Sequence, residues 1–190
     1  TTQPMLMSQL NSSCKKILMT KKWAGAFNSR PVQHHKISLM TEESNYINHK
    51  LSKNAITVLK NKNNLIPLLD LDSLNIAYVS LGNDSGTVFY NRLNSYMPVE
   101  RYSYNNHTDS LLNKLNSYDI VVLGLHYANN NFWERHVVSH QDSIFVSELC
   151  DKNKTIVNIF GHPKLLNSLP VDAADGIILS YQNSSYFQDL

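Results

Sequence analysis

Asp119-Ile120-Val121-Val122-Leu123-Gly124-Leu125-His126 carries six successive residues without a charged or polar side chain. A strand with one wet face alternates apolar and polar residues, because successive side chains point to opposite sides. This run is apolar on both sides, which requires cover on both, as in a parallel sheet between two helix layers. It predicts a strand near the sheet centre, with Val121 and Leu123 on one face and Val122 on the other.

Outward from it the pattern repeats. Asn75 to Gly82 (NIAYVSLG) is predicted as a buried strand ending in a glycine turn, and Thr155 to Gly161 and Gly176 to Tyr181 as further strands. Val99 to Tyr104 alternates with polar residues and suits a place nearer an edge. Helical spacing fills the gaps. Val88, Phe89, Arg92, Leu93 and Tyr96 form one stripe, and Leu111, Leu112, Leu115 and Tyr118 a second with Thr108 as candidate N-cap. Ile144, Phe145 and Leu149 form a third. Such βαβα alternation predicts an α/β fold: a three-layer α/β/α sandwich, flavodoxin-like, with a mostly parallel sheet of five or six strands.

Upstream, Leu6, Leu10, Cys14, Ile17 and Leu18 predict a helix over 5–23 that stops near Trp23-Ala24-Gly25, where Gly25 suits a C-terminal cap. A polar linker follows through Lys36 and includes His34-His35. A second helix is predicted from Thr41, with Glu42 and Glu43 favourable to its N-terminal dipole and Ile47, Leu51 and Ala55 on its buried face. The chain thus divides into a helical segment with its linker, 1–40, and an α/β domain, 41–190. Ser184 to Leu190 reads as the first turns of a covering helix that lacks its remainder.

Composition narrows the function. Hydrophobic residues make up 42% of the 190, enough for a packed core. The net charge of +2 has no basic run behind it, which argues against a nucleic-acid partner. Cys14 and Cys150 lack metal-site spacing, and no apolar run reaches the length of a membrane span.

The junction between the two parts is the most specific stretch. Ala55-Ile56-Thr57-Val58-Leu59-Lys60-Asn61 stops at Lys62-Asn63-Asn64, and Leu65-Ile66-Pro67-Leu68 follows. By its residues this reads as a helix end feeding a short hairpin or extended lead-in, since Pro67 cannot donate to a central ladder. It resembles the junction ahead of the C-terminal domain in glycoside hydrolase family 3. Ile17-Leu18 through Lys22-Trp23-Ala24-Gly25 is similar to the end of that family's barrel. Ile159-Phe160-Gly161-His162-Pro163-Lys164-Leu165-Leu166 resembles its "fGnPy.L" turn with His162 in place of Asn, and Ala173 to Tyr181 the strand after it.

The resemblance is strongest to the bacterial β-N-acetylglucosaminidase branch. It implies an accessory domain packed on the catalytic barrel of the same polypeptide, supporting hydrolysis of a carbohydrate substrate, in a periplasmic or cell-envelope setting. The family's nucleophile and "KHFPGHG"-like segment have no counterpart in this chain. No catalytic residue, metal or cofactor is therefore assigned, and the chain alone is expected to be inactive.

Two loops remain as candidate sites. Tyr127 to Glu134 (YANNNFWE) follows the most apolar strand and mixes aromatic faces with amides. Its Asn129, Asn130, Trp133 and Glu134 are the candidate substrate-binding residues, against a surface loop with Phe132 and Trp133 packed on a neighbour. Gly82-Asn83-Asp84-Ser85-Gly86 offers the rival function, a stand-alone ligand-binding or SGNH-esterase-like domain. That chemistry also needs a late D-x-x-H, which the chain lacks, so a turn leading into the next helix is the simpler reading. His136 and His140 have metal-clamp spacing, but no third ligand accompanies them.

Overall fold

The computed structural model describes residues 3–27, 34–104, 108–127 and 138–190. By its contacts the chain divides into two units, Thr1–Glu43 and Ser44–Leu190. The first unit contains α1 (Gln3–Trp23) and the beginning of α2 (His34–Ala55). α1 ends as Gly25 predicts. With Gly25 at φ +78°, its N–H donates to Lys22 O (3.0 Å) and the Ala26 N–H to Lys21 O (2.9 Å). This is the paired closure of a Schellman motif, which satisfies carbonyls that the last helical turn leaves open. α2 starts earlier than Thr41 and takes His34-His35 out of the linker, because nothing between Lys36 and Met40 breaks a helix.

In the second unit six strands of the described residues form one sheet: β1 (Thr57–Asn61), β2 (Ile76–Gly82), β3 (Val99–Ser103), β4 (Ile120–His126), β5 (Thr155–Phe160) and β6 (Gly176–Leu179). Their order is β1-β6-β5-β4-β2-β3, parallel throughout except that β1 runs antiparallel to β6. α3 (Thr87–Asn94), α4 (Thr108–Leu115), α5 (His140–Lys152) and the short α6 (Ser185–Gln188) complete the α/β sandwich.

β4 lies inside the sheet and every one of its residues is buried. Val121, Leu123 and Leu125 join the core cluster that contains Leu112 and Leu115 of α4 and Phe145, Val146 and Leu149 of α5. Ile120 and Val122 face the opposite cluster, where Phe89 and Leu93 of α3 pack beside Leu65, Ile66 and Leu68. β3, the polar-alternating strand, is at the edge.

α5 opens with a capping box: the Asp142 N–H donates to Ser139 Oγ (3.0 Å), and the Ser139 N–H to Asp142 Oδ2 (3.3 Å). Such a cap contributes about 1 kcal/mol. Thr108, expected as a cap, is instead the first residue of α4.

Two expectations on packing are corrected. Ile144 is 43% exposed, because α5 turns the stripe Phe145, Val146, Leu149 and Cys150 inward and leaves Ile144 at its flank. Ile47 and Leu51 of α2 are also exposed, and the buried residue there is Ser52. On the same helix the Tyr186 hydroxyl donates to Asn45 Oδ1 (2.6 Å). Of the two readings of the junction, the extended lead-in is the one found, and Leu65–Leu68 forms no strand. β1 pairs with the last strand, with Thr57 opposite Leu179 and Asn61 opposite Gly176.

The junction's polar residues each have a local role. Asn61 closes the turn, its Oδ1 accepting from the Ile66 N–H (2.9 Å) and its Nδ2 donating to Ile66 O (2.6 Å). Asn63 and Asn64 both sit at φ +54°, a region that asparagine tolerates better than most residues. The Ile66–Pro67 peptide bond is cis.

Candidate functional site

The direction of strand addition reverses between β2 and β4: β3 lies to one side, and β5 and β6 follow on the other. In open α/β sheets, ligands bind outside the carboxyl ends of the strands at such a switch point. The loops that meet there start at Gly82 and His126, the two loops singled out in the sequence.

Of the second loop, Tyr127 is described. Its N–H donates to Phe160 O (3.1 Å), its ring is buried, and its hydroxyl has no partner among the described residues. Asn129, Asn130, Phe132, Trp133, Glu134 and His136 lie outside the described residues, so the structure places none of the candidate substrate-binding side chains. His140, the other half of the histidine pair, is the first residue of α5. No cluster of three or more His, Cys, Asp or Glu fit to hold a metal occurs among the described residues.

The first loop is a turn held from several sides. Gly82 (φ +115°) and Gly86 (φ +62°) take backbone conformations that favour glycine. Asp84 Oδ1 accepts from the Gly86 N–H (3.1 Å), a local Asx-type closure. Arg101 of β3 donates through Nη2 to Ser85 O and to Thr87 Oγ1 (3.2 Å), and its guanidinium lies 5.1 Å from the Tyr90 ring centroid.

Beneath the loop is a polar network that the sequence reading did not assemble. His126 is fully buried, its ring stacked on Phe160 with centroids 4.6 Å apart. Asn183 Oδ1 faces His126 Nδ1 at 2.9 Å, and Asn183 Nδ2 donates to Asp84 Oδ2 at 3.2 Å. With the amide so oriented, His126 carries its proton on Nδ1 and Nε2 accepts from the Tyr78 hydroxyl at 2.6 Å. Gln188 Nε2 donates to Asp84 Oδ2 (3.1 Å) and to Asn183 Oδ1 (2.7 Å), and its Oε1 accepts from the Phe89 N–H (3.4 Å). The one signal in the sequence was a histidine ending an otherwise apolar strand.

This geometry does not suit nucleophilic catalysis. The Ser85 hydroxyl bonds Thr87 Oγ1 at 2.8 Å and lies 3.5 Å from Asp84 Oδ1, while both nitrogens of His126 are taken by Tyr78 and Asn183. Activation of a serine needs a base within hydrogen-bond reach of it.

The network has an acid signature. Burial holds the His126 imidazolium below its ordinary range, with the Arg101 charge adding to the effect and Asn183 and Asp84 opposing it. Burial alone raises the Asp84 carboxyl, but hydrogen bonds from Gln188, Gly86 and Asn183 with the charge of His126 outweigh it and lower the pKa. In both cases the folded chain binds fewer protons than the unfolded chain over the affected range, so stability falls as pH falls. Neither group changes the denaturation midpoint between about pH 7 and pH 8. The midpoint should drop as pH passes below the ordinary histidine range near 6.5, and again below about 4 as Asp84 protonates. His126→Gln should erase the first step; a pH profile unchanged in that variant contradicts the assignment.

Compared with solved structures, the chain's fold has relatives among much larger enzymes. A fungal multi-domain GH3 β-N-acetylglucosaminidase is similar at 18% identity and TM-score 0.59, over 74% of this chain and 16% of that one. A glycoside hydrolase family 3 β-N-acetylglucosaminidase from Paenibacillus sp. str. FPU-7 is similar at 16% identity and TM-score 0.53, over 74% and 28%. A β-glucosidase from Listeria innocua is similar at 16% identity and TM-score 0.62, over 90% and 28%. At such identities the likeness is one of fold, and it falls on the family that the junction motifs resemble. No protein-family model and no curated protein matches the chain.

Proposed function

We propose that this chain is the C-terminal α/β domain, with the helical segment leading into it, of a family 3 glycoside hydrolase of the β-N-acetylglucosaminidase or β-glucosidase type. The observation that carries this reading is a coincidence of two kinds of match. The fold likeness to family 3 structures covers 74% to 90% of the chain, and motifs resembling the family's stand in order along the chain. The domain's role is accessory: it packs on the catalytic barrel of the same polypeptide and supports carbohydrate hydrolysis in a bacterial periplasm or cell envelope. The loop with Asn129, Asn130, Trp133 and Glu134 is the part assigned to border the sugar cleft.

The helical segment 1–40 belongs in this reading to the end of the barrel, and 41–190 to the accessory domain. Leu6, Leu10, Ile17, Leu18 and Trp23 of α1 are more than half exposed, a quantity of apolar surface that suits contact with a further domain.

Glycoside hydrolysis needs two catalytic groups, usually carboxyls, flanking one glycosidic bond, and no such pair is assigned in this chain. The chain by itself is therefore expected to show no turnover of aryl N-acetylglucosaminides or aryl glucosides, and the polypeptide that joins it to a barrel to hydrolyse one of them. Release of the aryl group, followed by absorbance, checks both. Turnover by the chain alone that a substitution within it abolishes would overturn the accessory role.

A further inference from the structure

Resting on the reading of 1–40 as the end of a catalytic barrel, we propose that a groove on α1 is the seat of an apolar segment of the rest of that barrel, and that this segment carries carboxylates facing Lys15 and Lys22.

The Schellman closure after α1 turns the chain back, so that Phe27 stands beside the helix and not beyond it. Between them lies an open groove of about 440 Å³, lined by Cys14, Leu18, Met19 and Phe27, with Lys15 and Lys22 among its walls. Its large side chains are uncovered: Leu18 is 55%, Met19 62% and Phe27 61% exposed. Side chains three and four residues apart share a helix face, so Cys14, Leu18 and Lys22 form one row and Lys15 stands beside Leu18. The two lysines are thus two turns apart, about 10 Å along the axis, at either end of one apolar strip.

Charge decides what fits there. No Asp or Glu occurs from Thr1 to Met40, whereas Lys15, Lys16, Lys21 and Lys22 all lie on α1. Neither Lys15 nor Lys22 has an ion-pair partner among the described residues. An apolar centre with a cationic edge selects a partner whose own edge is anionic, because a neutral edge leaves the ammonium groups desolvated and a cationic one repels them. A second copy of α1 would set lysine against lysine.

The thiol of Cys14 reports from inside the groove. Cys14 is exposed and Cys150 buried. Alkylation read by mass spectrometry on the Cys14 peptide therefore measures whether the groove is covered, and the Cys150 peptide whether the α/β fold holds. In the polypeptide that joins this chain to its barrel, Cys14 is expected to react about tenfold or more slowly than in the chain alone. Lys15→Glu combined with Lys22→Glu should bring it to within about threefold of the same variant in the chain alone. Lys16→Glu should leave it slow, since Lys16 lines a separate hollow with Ile17 and Thr20. If Cys150 becomes reactive in the double variant, Lys22→Gln, which adds no repulsion, decides by a smaller rise in the Cys14 rate.

Equal Cys14 rates in the joined polypeptide and the chain alone would mean an open groove and overturn the proposal. Slow rates that ignore the change at Lys15 and Lys22 would overturn the carboxylates. Protection in the chain alone that grows with its concentration would place a second copy in the groove instead. Aryl glycoside turnover separates these results from the family reading: a joined polypeptide without turnover refutes that reading, whereas an active one with an open groove refutes only the occupant.

Discussion

Val122→Asp is expected to leave the Ser44–Leu190 unit unfolded at neutral pH. Val122 is 5% exposed in an interior strand, in the cluster of Tyr78, Ile120 and Ile156. The parallel neighbours in register, Tyr78 and Ile156, offer no cation to pair with a carboxylate. Burying an unpaired charge costs several kcal/mol even after relaxation, against a total stability of about 5–15 kcal/mol for a domain of this kind. Loss of near-ultraviolet circular dichroism and of a cooperative melt is the expected readout. Val122→Ala, which only removes methyl groups, should retain both with a lowered midpoint. A cooperative melt for the Asp variant within a few degrees of the parent would refute the two-sided burial of β4.

Gly86→Ala is expected to be strongly destabilising. A Cβ there would lie 2.0 Å from the Tyr78 hydroxyl oxygen and 2.3 Å from His126 Nε2, at φ +62°. Both neighbours are fully buried and bonded to each other, so neither can swing aside. The backbone contributes about 1–2 kcal/mol of the cost and the forced repacking a further ~1–3 kcal/mol. Gly176→Ala is the control. Its Cβ would meet Ile66 Cδ1 at 2.9 Å, the far end of a flexible side chain, at an ordinary φ. Urea midpoints should separate the two variants clearly; equal midpoints would mean that the loop yields and the Tyr78–His126 pair is not held beneath it.

The residues that the sequence read correctly are those whose environment repeats along the chain. Ile120 to Leu125 is apolar at every step because both faces of the strand are covered, and a period of two shows that without knowledge of the neighbours. Val99 to Ser103 carries Glu100, Arg101 and Ser103 because an edge strand tolerates them. Gly25 ends α1 through backbone conformation alone, a property of one residue and its turn. The order of strands and helices followed from these local patterns, and with it the sandwich.

Tertiary structure decided what depends on residues distant in the chain. The pairing of Thr57 with Leu179 spans most of the domain, and no local pattern tells a β1 that pairs with β6 from one that folds back on Leu65–Leu68. Ile47, Leu51 and Ile144 are apolar at helical spacing, yet which face of a helix is covered depends on what it meets, and these three are exposed. In the sequence Asp84 reads as a turn acid and His126 as a strand end, and nothing local links either of them to Asn183 or Gln188. They become one network because β2 and β4 are neighbours only in the folded sheet, where the reversal of strand order brings the last residues of the chain over the first loop.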